Sequence, residues 1–392
     1  MDYIKITLKP GKEDSFHRFH PWVFSGAIYR FEKQPEEGDI VEVTDHQGNF
    51  IGIGQYQIGS IAVRILTFKQ EEINEQFYFK RLQEAYNVRL SLGLLNGEYN
   101  NTCRLVHGEG DNLPGLIIDL YNKTAVMQAH TPGMHYARHQ IAQALKSVLG
   151  NAIDNIYYKS ETTLPYKAEL DAENEYLLGG DAPNIATENG LKFYVDWVRG
   201  QKTGFFVDQR ENRALLERYA HGRSVLNMFC YTGGFSFYAM RGNAKLVHSV
   251  DSSSKAIDLT CKNVELNFPG DNRHQAFAED AFKFLDTMGD QYDLIILDPP
   301  AKHKKVLNNA LQGYRKLNAK AFEKIRPGGI LFTFSCSQVV SKENFRLAVF
   351  SAAAQSGRNV RILHQLTQPA DHPVNIYHPE GEYLKGLVLY VE

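Results

Sequence analysis

A few short stretches of this 392-residue chain carry side chains able to do chemistry. Phe334-Ser-Cys-Ser337 sets a thiol, Cys336, between two small hydroxyl residues at the end of an apolar run. A thiolate is a strong nucleophile, but an unperturbed pKa of about 8.5 leaves only a few per cent of it near neutrality. A cation beside the sulfur would raise that share. Tyr292-Asp-Leu-Ile-Ile-Leu-Asp-Pro-Pro300 ends a second apolar run in a carboxylate, Asp298, backed by the rigid Pro299 and Pro300. Ser224–Phe235 runs from apolar residues into Gly233-Gly234, where a ligand could approach the backbone closely. Asp251 and Asp280 stand at the ends of two further apolar runs. An acid at the first of these ends suits a ribose diol, and one at the next suits an adenine amino group. Each residue also has a plain structural use. A free Cys is commonly a small buried hydrophobe, and an Asp after a strand is commonly a helix N-cap.

The elements that would position these groups alternate regularly. Strands are expected at Val225–Phe229, Lys245–Val250, His274–Ala278, Leu294–Leu297 and Ile330–Phe334, each followed by a helical segment. Val360–Leu366 and Leu384–Val391 add two last strands. This is a doubly wound, Rossmann-like α/β sheet of seven strands, and the crevice of such a sheet lies at the carboxyl ends of its strands. Asp251, Asp280, Asp298 and Cys336 all come at those ends. No Gly-Lys-Ser/Thr follows Gly233-Gly234, which argues against a phosphate-cradling P-loop. A dehydrogenase could use the same acids, but Asp-Pro-Pro and the terminal strand pair argue against one.

The chain before this sheet divides in two. Residues 1–70 read as a small β-barrel, with Ile40–Thr44 and Phe50–Gly54 joined by the turn Asp45–Gly48. Residues 71–187 read as a linker helix over 71–93, with an apolar stripe that includes Val88 and Leu90, and a small α+β domain. That domain has strands at Arg104–Val106, Gly115–Leu120, Thr124–Ala129 and Ile153–Tyr158 and one helix at Tyr136–Leu149. Asp111–Gly115 reads as turn chemistry alone. Residues 188–392 form the third domain, opening on a hairpin with its turn at Asn189-Gly190. Lys202–Arg213 either closes aromatics, Gln209 and Arg210 over a ligand or is simply a polar helix N-terminus.

Composition sets outer bounds. A formal charge of −2 gives no global field toward nucleic acid, so a basic surface must be local. The segment from Pro299 to Arg326 supplies one, with eight Lys and Arg against the single acid Glu323. It reads equally as a solvated helix face. Four scattered cysteines without a C-x-x-C argue against zinc and disulfides and fit a reducing cytoplasm. No run approaches a membrane span, so neither metal nor membrane is expected.

Several of these stretches together carry a resemblance: His20–Ile28, Leu105–Leu120, Thr203–Arg213, Asn227–Phe237, Asp298–Pro300 and Phe334–Ser337. The chain resembles the bacterial 23S ribosomal RNA (cytosine-5) methyltransferases that carry an N-terminal PUA domain. The resemblance implies a class I methyltransferase domain using S-adenosylmethionine (SAM), preceded by an RNA-binding PUA-like barrel and the small α+β domain. It implies cofactor contacts from Arg210, Phe229, Tyr231, Gly233, Asp251, Asp280 and Asp298. Cys336 would add to carbon 6 of the base and Asp298 would hold its ring-nitrogen or amino edge. Pro299, Lys302 and Lys304 would meet the substrate. The expected partner is ribosomal RNA presented as a single strand or a flipped-out base; a homodimer stays open. Ala301 follows Asp-Pro-Pro where some cytosine-5 enzymes have a second Cys, so release by a second thiol is not available. Amino-group methylation of an RNA purine without an adduct, and a non-catalytic ribosome-binding role, remain the alternatives.

Overall fold

The structure, a computed structural model, describes residues 3–165, 170, 173–180, 182–300 and 306–392. Its contacts group into two compact units. One comprises residues 1–190, 195–207 and 370–381; the other comprises 191–194, 208–369 and 382–392. The barrel and the α+β region therefore share a unit. Residues 195–207 and 370–381, expected within a domain at 188–392, belong to that unit as well.

The first unit opens with β1 (Ile4–Leu8), α1 (Asp14–His17), β2 (Trp22–Phe24), β3 (Ile28–Phe31), β4 (Ile40–Thr44), β5 (Phe50–Tyr56) and β6 (Ile61–Thr67). These six strands form a sheet in the order β2-β6-β5-β4-β1-β3. Alternate apolar residues such as Ile6, Leu8, Val41, Val43 and Val63 fill its interior. The β4–β5 turn is fixed by Asp45, whose Oδ1 accepts from the Gln47 and Asn49 amides.

Helix α2 (Glu75–Ser91) begins where the Asn74 side chain accepts from the Phe77 amide. Its buried face is Phe77, Tyr78, Leu82, Ala85 and Arg89, while Val88 and Leu90 are exposed. The expected apolar stripe is thus rotated. The fully buried Arg89 takes the last core position because Asp111 pairs with both guanidinium nitrogens, at 2.5 and 2.8 Å.

After α2 come β7 (Thr102–His107), β8 (Leu116–Tyr121), β9 (Thr124–Ala129), α3 (Pro132–Tyr136), α4 (Arg138–Leu149), β10 (Asn155–Tyr158), β11 (Glu175–Leu178) and β12 (Ile185–Glu188). The sheet order is β11-β10-β9-β8-β7. The single helix expected at Tyr136–Leu149 is instead α3 and α4. Thr131 caps α3 with Pro132 in its first turn, and the chain breaks at Ala137. Asn189 and Gly190 both have positive φ, as the expected two-residue turn requires.

The second unit holds β13 (Leu191–Tyr194), α5 (Arg210–Tyr219), β14 (Ser224–Met228), α6 (Gly234–Arg241), β15 (Leu246–Asp251), α7 (Ser254–Asn267), β16 (His274–Ala278), α8 (Ala281–Thr287), β17 (Leu294–Leu297), α9 (Leu307–Lys324), β18 (Gly329–Ser335), α10 (Lys342–Ser356), β19 (Val360–Leu366) and β20 (Lys385–Val391). Its seven-stranded sheet runs β16-β15-β14-β17-β18-β20-β19. The first five are parallel, and β20 is antiparallel to both neighbours. The expected Rossmann-like α/β sheet is therefore present. Alternation sends Leu294 and Ile296 of β17 to one face and Ile295 and Leu297 to the other, where a separate core packs on each. A parallel sheet covered on both faces explains the near-continuous apolar strands. The chain order reverses between β14 and β17, which leaves a crevice at their carboxyl ends.

Candidate active site

Parallel pairing puts the ends of β14, β15, β17 and β18 on one edge. Met228 pairs with Val250 and Leu297, and Leu297 with Thr333. The residues just beyond are Phe229, Asp251, Asp298 and, past Ser335, Cys336.

The turn after β14 is strained. Phe229 and Tyr231 have φ of 59° and 48°, and Gly233 has 82°. Aromatic residues in the left-handed region are genuine outliers and persist only where the surroundings hold them. Here α7 and β15 do so. Thr260 Oγ1 donates to the Tyr231 carbonyl at 2.9 Å, and Asn263 Nδ2 donates to the Thr232 carbonyl at 2.9 Å. The Tyr231 amide donates to Asp251 Oδ2 at 3.0 Å, while Asp251 Oδ1 accepts from the Ser253 amide. A Cβ on Gly233 would stand 2.7 Å from Thr260 Cγ2, so glycine is required by space as well as by φ. Sequence reasoning singled out the turn and Asp251. It missed Thr260 and Asn263, whose spacing on a helix signals nothing locally.

Asp298 lies in a hydrogen-bonded chain. Gln209 Nε2 donates to Asp298 Oδ2 at 3.1 Å, and Asn212 Nδ2 donates to Gln209 Oε1 at 2.6 Å. Gln209 is thus both the start of α5 and a partner of the site. The neighbouring Asp208 accepts from the Tyr383 hydroxyl at 2.8 Å. Arg210 is fully buried and its Nε donates to Glu211.

Cys336 is half-buried against the core on one sheet face. Tyr314 of α9 closes in from the other face. Burial pushes its phenol up to about 12, a bond to Ser335 opposes that, and Cys336 and Asp298 push the same way as burial. The Tyr314 ring therefore joins Cys336 and Asp298 electrostatically. Opposite Ser335 on β20 stands Lys385, whose Nζ donates to the Ser337 carbonyl at 2.6 Å and the Tyr383 carbonyl at 2.7 Å. Neither Tyr314 nor Lys385 stands out in the local sequence pattern.

Asp280 has a cap role. Its Oδ1 accepts from the Phe282 and Lys283 amides at the start of α8, and β16 is the edge strand of the sheet. Pro299 is half-buried and Pro300 exposed. Lys302 and Lys304 lie outside the described residues. Of the basic strip on α9, Arg315 and Lys316 are exposed, whereas Lys320 pairs with Asp286 and Arg326 donates to the Asp290 carbonyl. Among the described residues no helix is long and apolar enough to cross a membrane.

These features fit a nucleoside cofactor: a backbone-lined turn pinned by an acid at the adjacent strand end, facing a carboxylate and a thiol across a crevice. Residues 158–379 match the S-adenosylmethionine-dependent methyltransferase family, and residues 6–68 match the PUA-like domain family. The chain belongs to the SAM-dependent methyltransferases. It is 41% identical to the Ribosomal RNA large subunit methyltransferase I of Tolumonas auensis, over 98% of each chain. It is 37% identical to the protein of that name from Yersinia pestis, over 99% of each. A solved structure of a provisionally assigned SAM-dependent methyltransferase from Streptococcus mutans superposes with a TM-score of 0.85, covering 99% of this chain and all of that one. At 23% identity it supports the fold. The expected methyltransferase sheet, PUA-like barrel and SAM cofactor therefore hold for this member of the family.

Proposed function

We propose that the protein methylates carbon 5 of a cytosine in 23S ribosomal RNA, working in the cytoplasm on a single-stranded or flipped-out base. The near-full-length likeness to large-subunit ribosomal RNA methyltransferases supports the substrate class. The observation that carries the reaction is Cys336 standing at the end of β18 on the crevice edge that also bears Asp298. A base must leave its stack to reach such a crevice. The PUA-like barrel and the exposed Arg315 and Lys316 supply places for phosphate contact.

SAM would be held by the Phe229–Gly233 turn, Asp251, Asp280 and Arg210, with Asp298 between cofactor and base; when bound it supplies an electrophilic methyl group. Carbon 5 of cytosine is a poor nucleophile by itself. The Cys336 thiolate forms a bond to carbon 6, and the electron pair of the 5,6 double bond becomes available at carbon 5. Asp298 accepts a hydrogen bond from the amino group as a carboxylate or, when protonated, donates its proton to the ring nitrogen, which neutralises the negative charge that develops there. Carbon 5 is then nucleophilic enough to accept the methyl group that bound SAM would supply, its sulfonium S–CH3 bond breaking to leave S-adenosylhomocysteine. Loss of the carbon 5 proton to solvent water re-forms the double bond and expels the Cys336 thiolate, so the protein ends as it began.

Wild type and Cys336→Ala, incubated with labelled SAM and unmodified ribosomal RNA, decide the reading. 5-Methylcytidine from the wild type and none from the variant is the expected result. A methylated purine, or a fully active variant, would overturn it.

A further inference from the structure

Lys385 is buried, with 6% of its surface exposed, although nothing in the described structure forms an ion pair with it at close range. Burying an ammonium costs free energy unless something nearby repays it. Its position shows what could. Lys385 pairs across the sheet with Ser335, and its Nζ reaches the Ser337 carbonyl, so the ammonium lies against the backbone of the turn that holds Cys336. The two carbonyl acceptors occupy two of the three ammonium protons. We propose that Lys385 is a positioning residue that keeps Cys336 as a thiolate, by holding a buried ammonium against the Ser335–Ser337 turn. This rests on the reading of Cys336 as the nucleophile.

The surrounding charges agree with the role. Burial pulls the Lys385 ammonium down to about 8, and a negative Cys336 pulls it back up. Lys342 lowers it further and Glu382 raises it, but these two pair with each other at 2.6 Å and are half-exposed. Cys336 and Asp298 both act on the Tyr314 phenol of α9, and a carboxylate in that neighbourhood disfavours a thiolate. Lys385 offsets it. The ammonium is present below about pH 8, so its help is greatest at neutral pH and fades above it.

The test is the pH dependence of iodoacetamide alkylation at each cysteine, read by peptide mass spectrometry on the intact protein. The exposed Cys261 serves as control in the same sample. In the wild type, Cys336 should react with a midpoint below the ordinary value of about 8.5. Lys385→Met should slow Cys336 alkylation at pH 7 roughly tenfold or more, with Cys261 unchanged. Lys385→Arg should keep most of the wild-type rate. A wild-type Cys336 midpoint at or above about 8.5 overturns the proposal whether or not the variants fold. An unshifted curve in folded Lys385→Met does the same. Methyl transfer by Cys336→Ala is a separate observable, and its persistence would end the nucleophile reading while the alkylation curve still reported on the charge pair.

Discussion

Two cysteines follow two strands of the same sheet edge and have opposite surroundings. Cys230 lies two residues beyond β14 and is 6% exposed, with Sγ 3.8 Å from Thr260 Oγ1. Burial, and then the negative charge of Asp251, push its thiol far above the ordinary range. Cys336 lies one residue beyond β18, is half-buried, and has the Lys385 ammonium bonded to the carbonyl of the next residue, Ser337. The strand end alone does not make a nucleophile. On the proposed reading the charge beside each thiol separates them, the Asp251 carboxylate for Cys230 and the Lys385 ammonium for Cys336.

The largest expected effect breaks the comparison outright. Cys336→Ala should lower methyl transfer by more than about 10³-fold, as loss of a covalent nucleophile does elsewhere, while calorimetric SAM affinity stays the same. Cys230→Ala should remain within a few-fold of wild type. Equal losses in both would show that position, not environment, governs the site. Next in size is Asp298→Asn, which removes charge but keeps a hydrogen-bonding shape for Gln209. We expect kcat to fall on the order of 10²-fold. A fall in RNA affinity alone, with kcat kept, would move Asp298 from the chemistry to binding.

Smaller effects belong to the cofactor half of the edge. Asp251→Ala leaves the Tyr231 amide without its acceptor in a strained turn, and charge-assisted bonds of this kind are worth about 1.5–3 kcal/mol. SAM affinity should drop roughly 10- to 100-fold by calorimetry. The smallest change is expected for Asp280→Ser, because a serine can still cap α8. We expect SAM binding to weaken several-fold with thermal stability intact. An unchanged affinity would leave Asp280 a cap and nothing more.

Much of the second unit could be read from local pattern. Strands buried on both faces give unbroken apolar runs, such as Leu294–Leu297, whose ends show directly in the sequence, and Ser253, Asp280 and Ser341 mark helix starts by capping. Partners brought in by sheet pairing or from the opposite layer could not be read. Lys385 reaches the Cys336 turn only because β20 inserts antiparallel between β18 and β19. Tyr314 looks like any apolar-face residue of α9 until the fold turns it toward Ser335. In the first unit, Arg89 broke the apolar rule because its counter-ion, Asp111, is remote in sequence. Such pairs are set by tertiary structure, and no local spacing announces them.

The most direct test of the thiol mechanism replaces cytidine with 5-fluorocytidine in a ribosomal RNA transcript and adds SAM. Fluorine takes the place of the proton that must leave carbon 5, so the thiol cannot be eliminated. The account predicts a denaturant-resistant protein–RNA complex whose cross-linked peptide maps to Cys336, and no such complex from Cys336→Ala. A transcript that is methylated at its ordinary cytidines but yields no adduct when fluorinated, or an adduct on another residue, would contradict it.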